Sequence, residues 1–78
     1  MTKQSVTIYS HDQSQKSQRL KEQLDVWGVN YKEKNITDNP NYLLELQKQG
    51  VFATPVIFID DTCIEGLQLD RIKHELQI

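Results

Sequence analysis

Apolar positions fall into short runs and single stripes that mark out strands and helices in turn. Val6 and Ile8, flanked by Thr7 and Tyr9, form a run of β-branched and aromatic side chains, which predicts a first strand. The polar stretch from Ser10 to Gln13 reads as a loop. From Ser14 onward Leu20, Leu24 and Trp27 recur at i, i+4 and i+7, one apolar stripe of a helix. Gly28 supplies the left-handed residue that ends it. "VNYKEKNI" alternates as a second strand, with Val29, Tyr31 and Glu33 on one side and Lys32 and Lys34 on the other.

"TDNPNYLLELQKQG" carries marks of a helix at both ends. Asn39 suits the N-cap, Pro40 suits the first helical position because its missing N–H has no partner there, and Gly50 closes the element. Leu43 and Leu46, helped by Tyr42, are expected to face the core. "PVIFID" is short and apolar throughout, the pattern of a central strand buried on both faces. Asp60-Asp61 predicts a tight turn into "TCIEG", a short edge strand ended by Gly66. "LQLDRIKHELQI" then reads as a last helix with Leu69, Ile72 and Leu76 inward. The expected fold is α/β in the order β-α-β-α-β-β-α. Its first two strands, joined by a helix, form a right-handed parallel unit and its last two an antiparallel hairpin, giving a four-stranded mixed sheet with helices packed on it.

Composition narrows the function without naming it. A chain of 78 residues is read as one domain, 1–78, with a modest core. A net charge of −2 with no block of like charges points away from nucleic acid and from membrane surfaces. "MTKQSV" lacks the apolar run of a signal peptide, and no stretch approaches the ~18 apolar residues of a membrane span, so the expected compartment is the cytoplasm. Cys63 is the single cysteine, which excludes an internal disulfide and a cysteine-based zinc site.

Tyr9-Ser10, then His11, Asp12 and Gln13, then Ser14 and Ser17 opening a helix, together with "VFATPVIFID" and "DDTCIEGL", resemble a glutaredoxin of the thioredoxin superfamily over essentially the whole chain. Glutaredoxins run strand, Tyr-(Ser/Thr)-x-x-x-Cys-x-x-Cys, helix; here Ser14 and Ser17 stand at the two cysteine positions. The resemblance implies a thioredoxin-like fold and thiol–disulfide exchange, with Ser14 at the nucleophile position and Ser17 at the resolving position. It puts Pro55 at the place of the family's cis-proline, with the backbone of Thr54 beside the bound thiol, and Gly66 at the glycine of the hairpin motif. Tyr9, His11 and Lys16 border the same corner and are candidate ligand contacts. Implied partners are a disulfide-bearing protein substrate, with glutathione or thioredoxin reductase as the electron source; no resident cofactor is implied, glutathione being possible as a ligand, and the expected state is a monomer. After Gly66 the residues Leu67-Gln68-Leu69-Asp70 depart from the acidic pattern of glutathione-using members and are closer to short glutaredoxin-like hydrogen donors reduced by thioredoxin reductase.

The family reaction needs a thiolate at the helix N-terminus, where unpaired N–H groups and the helix dipole favour an anion. An alcohol there keeps the shape and loses the reactivity, so the chain is expected to be catalytically silent. Ser14 is also a good N-cap in its own right. A hydrolytic role for Ser14 would need a positioned base, and His11 lies in a polar loop with only Asp12 to orient it. Two readings stay open at this level: a Cys-x-x-Cys pair replaced by serine, or a naturally serine-bearing, non-catalytic module that binds thiols or proteins in the same groove. Cys63 reads as a small buried hydrophobe with no cation near it in sequence, His74 as solvent-facing, and Trp27 as core.

Overall fold

Two separate apolar clusters, one on each face of a four-stranded sheet, hold the chain together. The computed structural model describes residues 4–78; Met1 to Lys3, the start of the segment read as lacking a signal sequence, lie outside them. The elements are β1 (Val6–Ser10), α1 (Gln15–Val26), β2 (Lys32–Asn35), α2 (Asn41–Lys48), β3 (Val56–Ile59), β4 (Thr62–Glu65) and α3 (Leu69–Leu76), in the order expected from the sequence. The strands lie in the spatial order β2-β1-β3-β4. β1 and β2 are parallel, as a crossover through α1 requires, whereas β3 runs antiparallel to both β1 and β4.

The period of two along a strand sorts the side chains between the faces. Val6 and Ile8 of β1, Ile57 and Ile59 of β3, and Ile64 of β4 point one way, into a cluster completed by Leu20 and Leu24 of α1 and Ile72 and Leu76 of α3. Tyr9 and Val56 point the other way and meet Leu46 of α2 and Val51. Two helices therefore cover one face and one covers the other. β3, with Val56 and Ile57 fully buried, is the central strand its continuous apolar run predicted.

Three expectations need correcting. Ser10 belongs to β1, not to the loop: it pairs with Asn35 and its carbonyl accepts the Ile36 N–H at 2.9 Å. A polar residue is tolerated there because its buried hydroxyl donates to Glu33. β2 is only Lys32–Asn35; Val29 and Tyr31 pack on the core from the connection, the Val29 N–H reaching back to the Leu24 carbonyl at 2.9 Å. Leu43 is exposed, because the buried stripe of this short helix runs through Tyr42 and Leu46, four apart, and leaves Leu43 to one side. The start of α2 comes close to expectation, with Pro40 already in helical conformation (φ −59°, ψ −20°) and the Asn39 side chain accepting the Asn41 N–H at 3.1 Å.

Asp60 and Asp61 make the predicted two-residue hairpin, with Ile59 opposite Thr62. Asp60 adopts a left-handed φ of 53°, which Asp tolerates better than most side chains. Both its carboxylate and its own N–H are used: the former accepts the Ser5 N–H at 2.8 Å and the latter donates to the Ser5 carbonyl at 2.8 Å.

Candidate functional site

Register brings four connections to one end of the sheet. Ser10 pairs with Asn35, Tyr9 with Val56, and Val56 with Glu65. The chain leaving β1 toward α1, the chain leaving β2, the segment entering β3 through Pro55, and the segment leaving β4 at Gly66 therefore emerge together. The sequence-predicted residues His11, Ser14, Lys16, Ser17, Thr54, Pro55 and Gly66 lie on three of these connections or on the first turn of α1.

Ser14 is the N-cap of α1. Its backbone is extended (φ −96°, ψ 113°) and its hydroxyl oxygen accepts the Ser17 N–H at 3.1 Å. That bond satisfies one of the orphan donors of the first turn, an arrangement worth about 1 kcal/mol to a helix. Ser17 is fully buried, and its hydroxyl oxygen accepts the His11 N–H at 3.2 Å. The Ser14 N–H donates back to the His11 carbonyl at 3.1 Å. The two serines, three residues apart, thus occupy unequal places: Ser14 half-buried at the helix mouth, Ser17 beneath it. The first turn of α1 carries no acidic residue, and Lys16 is exposed on it, so nothing there opposes an anion at the helix terminus.

The Thr54–Pro55 peptide is cis, as the family pattern implied. Pro55 is buried, Thr54 half-buried, and the Pro55 carbonyl accepts the Gly66 N–H at 2.8 Å. Gly66 sits at φ 78°, a conformation that disfavours a side chain whatever the space around it.

Tyr9 supports the corner from behind. Its ring is almost wholly buried on the α2 side, edge-on to Phe58, with its hydroxyl donating to Glu45 at 3.2 Å. Lys34 donates to both Glu45 (2.9 Å) and the Tyr9 hydroxyl (3.4 Å) while lying over the Tyr9 ring. Burial pushes the Tyr9 phenol above its ordinary value despite the opposing ammonium.

Sequence reasoning missed the residues that brace the loop. The Asp12 N–H donates to Thr37 Oγ1 at 3.1 Å, the Asn35 amide donates to the Asp12 carboxylate at 2.6 Å, and the Asn35 oxygen in turn accepts the Thr37 N–H at 2.8 Å. The "NIT" of residues 35–37 carried a local signal for such side-chain turns. Glu33 carried none: its carboxylate accepts from Ser10 and from Lys21 of α1 at 2.8 Å, joining β1, β2 and α1 behind the corner.

Burial raises the Glu33 pKa, but the hydrogen bonds from Lys21 and Ser10 together outweigh it and leave the group below its ordinary 4.5. A carboxylate depressed in the folded state adds stability above its unfolded value and loses it as pH falls through the folded one. The E33Q variant should therefore approach the parent's stability as pH drops below about 4.5, and fall short of it by at most about 1 kcal/mol near neutrality, since both partners are partly solvated. A pH series of thermal melts checks this; a gap that widens toward acid would overturn it.

Cys63 lies half-buried on β4, opposite Phe58. Burial first, then Glu65, pushes its thiol up; Arg71, a cation that sequence proximity did not suggest, pulls the other way without winning. His74 is exposed on α3 as expected, and Trp27 packs, partly buried, on the larger cluster.

A strand–helix corner with a capped helix mouth and a cis-proline loop, both at one end of a β2-β1-β3-β4 sheet, define a thioredoxin-fold protein. The sequence profile of the Glutaredoxin family matches residues 6–64, and the chain belongs to that family. No curated protein sequence matches it. Among solved structures it is similar to a thioredoxin-like protein, BC3987 (20% identity, covering 92% of this chain and 100% of that one, TM-score 0.85). It is similar also to the glutaredoxin-like NrdH-redoxin of Escherichia coli (23% identity, 90% and 92% covered, TM-score 0.82) and to buckwheat glutaredoxin in complex with glutathione (21% identity, 95% and 74% covered, TM-score 0.74). At these identities the likeness is one of fold.

Proposed function

We propose that this chain is a glutaredoxin-like scaffold for thiol–disulfide exchange that is redox-silent because oxygen replaces sulfur at both working positions. The observation that carries the reading is the Ser17 N–H aimed at the Ser14 hydroxyl oxygen at 3.1 Å, on a helix whose first turn carries no acidic side chain. That donor and the helix dipole suit a thiolate. They cannot ionise an alcohol: the dipole contributes roughly 0.3–2 kcal/mol, and about 1.4 kcal/mol moves a pKa by only one unit.

Hydrolysis by Ser14 has no support. Its oxygen is engaged with Ser17, the Nδ1 of His11 is engaged with the Gln13 N–H, and no hydrogen bond joins the imidazole to Ser14 among the described residues.

A second reading, a non-catalytic module that holds a thiol-bearing partner in the same groove, is favoured by the intact surroundings of the corner: the cis Thr54–Pro55 loop, the Gly66 bond to Pro55 and the braced His11–Gln13 loop. Under the first reading the ligands are glutathione or thioredoxin reductase and a protein disulfide; the buckwheat relative in complex with glutathione supports glutathione as a probe. The unsubstituted chain should show no turnover of a disulfide substrate with either electron source. Calorimetric titration with glutathione separates the readings further: saturable binding without turnover supports a groove kept for holding a ligand, whereas measurable turnover would refute the silence.

A further inference from the structure

His11 is tied into the corner three times, and one tie depends on its charge. Its N–H donates to Ser17 Oγ at 3.2 Å, its carbonyl accepts from the Ser14 N–H at 3.1 Å, and its ring Nδ1 accepts the Gln13 N–H at 3.2 Å. The first two are backbone ties that protonation leaves alone. The third requires a lone pair on Nδ1. A neutral imidazole has one acceptor nitrogen and an imidazolium has none, so the ring proton of the neutral form sits on Nε2, and a second proton arriving at Nδ1 would face the Gln13 N–H.

We propose that His11 is a proton-operated latch on the strand-to-helix corner. The neutral ring closes it by accepting the Gln13 N–H. A proton taken from solvent by Nδ1 breaks that bond and turns the ring away, so that a cation is presented at the mouth of α1 beside the Ser14 oxygen. Imidazole is the side chain suited to this, because it changes charge within the physiological pH range.

The residues around Gln13 confine the change. Asp12 on one side is held by Thr37 and Asn35, and Ser14 on the other by the cap and the His11 carbonyl, so the Gln13 amide and the ring are the parts free to move. The charged groups on the elements that meet here are Asp12 in the same loop, Lys16 on the first turn of α1, Glu33 on β2 and Asp38 in the connection after β2. Asp12 is bonded to Asn35 and Glu33 to Ser10 and Lys21, and none of the four is hydrogen-bonded or ion-paired to the imidazole among the described residues. The open latch adds positive charge beside Lys16, on a first turn of α1 that carries no acidic residue, while the carboxylate of Asp12, the neighbour of His11 in the chain, is bonded to Asn35. An anion bound at Ser14 would therefore favour proton uptake by His11, and acidification would favour the anion, the two effects being reciprocal.

The latch regulates the same seat that the proposed function uses, but its test needs only the free protein, so each can fail without the other. Nitrogen NMR of the labelled chain should find neutral His11 protonated on Nε2, and a pH titration should move the Gln13 amide with the same midpoint as the His11 ring. His74, exposed on α3, is an internal control whose titration should not be reflected at Gln13. In H11N the side-chain oxygen can still accept from an N–H two residues on, which should fix the Gln13 amide near its closed position at every pH. In H11F no acceptor remains, and the amide should stay near its open position. A Gln13 amide that holds still while His11 titrates, a neutral ring protonated on Nδ1, or a Gln13 transition that persists in H11N would each overturn the proposal.

Discussion

The double variant S14C/S17C is expected to reduce disulfide substrates, with glutathione or thioredoxin reductase as the source of electrons, where the unsubstituted chain reduces none. The reason is where each atom starts. A thiol begins at a pKa of about 8.5, so the one unit or so that a helix mouth supplies brings a large share of it into the thiolate form at neutral pH. The same stabilisation applied to an alcohol leaves it un-ionised. The thiolate at position 14 attacks a substrate sulfur and one substrate thiolate departs; the sulfur at position 17 then displaces the other, and the oxidised pair waits for reduction.

Exposure makes the single variants informative. S14C, at a half-buried position on the helix mouth, should accumulate as a mixed disulfide with glutathione, because nothing beneath it can resolve the bond. S17C, at a position with no solvent exposure, should react with neither glutathione disulfide nor alkylating reagents until the protein unfolds. Turnover assays and intact mass after exposure to glutathione disulfide check all three. A folded S14C/S17C that stays inert would show that the corner lacks the electrostatics assigned to it here.

The parts of this fold that local pattern controls were legible in the sequence alone. Val6 to Tyr9, the Leu20/Leu24/Trp27 stripe, the apolar run through Ile59 and the Asp60-Asp61 turn each carry their signal within a few residues, and each element formed where that signal lay. The serine pair at 14 and 17 and the proline at 55 were legible only through resemblance, since a serine that caps a helix and a serine that replaces a cysteine look alike in composition. Ser10, Glu33 and Lys21 illustrate what was hidden. They lie on three different elements, and only the parallel pairing of β1 with β2, with α1 packed across them, brings a buried hydroxyl, a carboxylate and an ammonium together. Leu43 failed for a related reason: in a helix of eight residues two neighbouring stripes are equally apolar, and the sheet decides which of them is covered.

Shortening Leu20 to alanine should cost about 2–5 kcal/mol, the range for a fully buried leucine whose cavity cannot collapse. Leu20 has no solvent exposure and lies in the cluster that joins α1 to Ile8, Ile57, Ile59 and α3. For 78 residues a typical total stability is about 4–12 kcal/mol, so L20A removes a large fraction of it. Leu44 is the matched control: the same side chain, half-exposed on α2, where truncation should stay within about 0.5 kcal/mol. Urea unfolding of the two variants gives the comparison directly, with the midpoint of L20A displaced and its slope unchanged if unfolding remains two-state. The consequence reaches the corner because α1 carries Ser14 and Ser17 but is only twelve residues long, too short to persist on its own hydrogen bonds. The Ser17 amide should therefore exchange with solvent faster in L20A by the factor that the lost global stability sets, roughly 30-fold or more for 2 kcal/mol at about 1.4 kcal/mol per tenfold, while L44A leaves it unchanged. Equal costs for the two leucines would mean that α1 is held to the sheet by something other than this cluster.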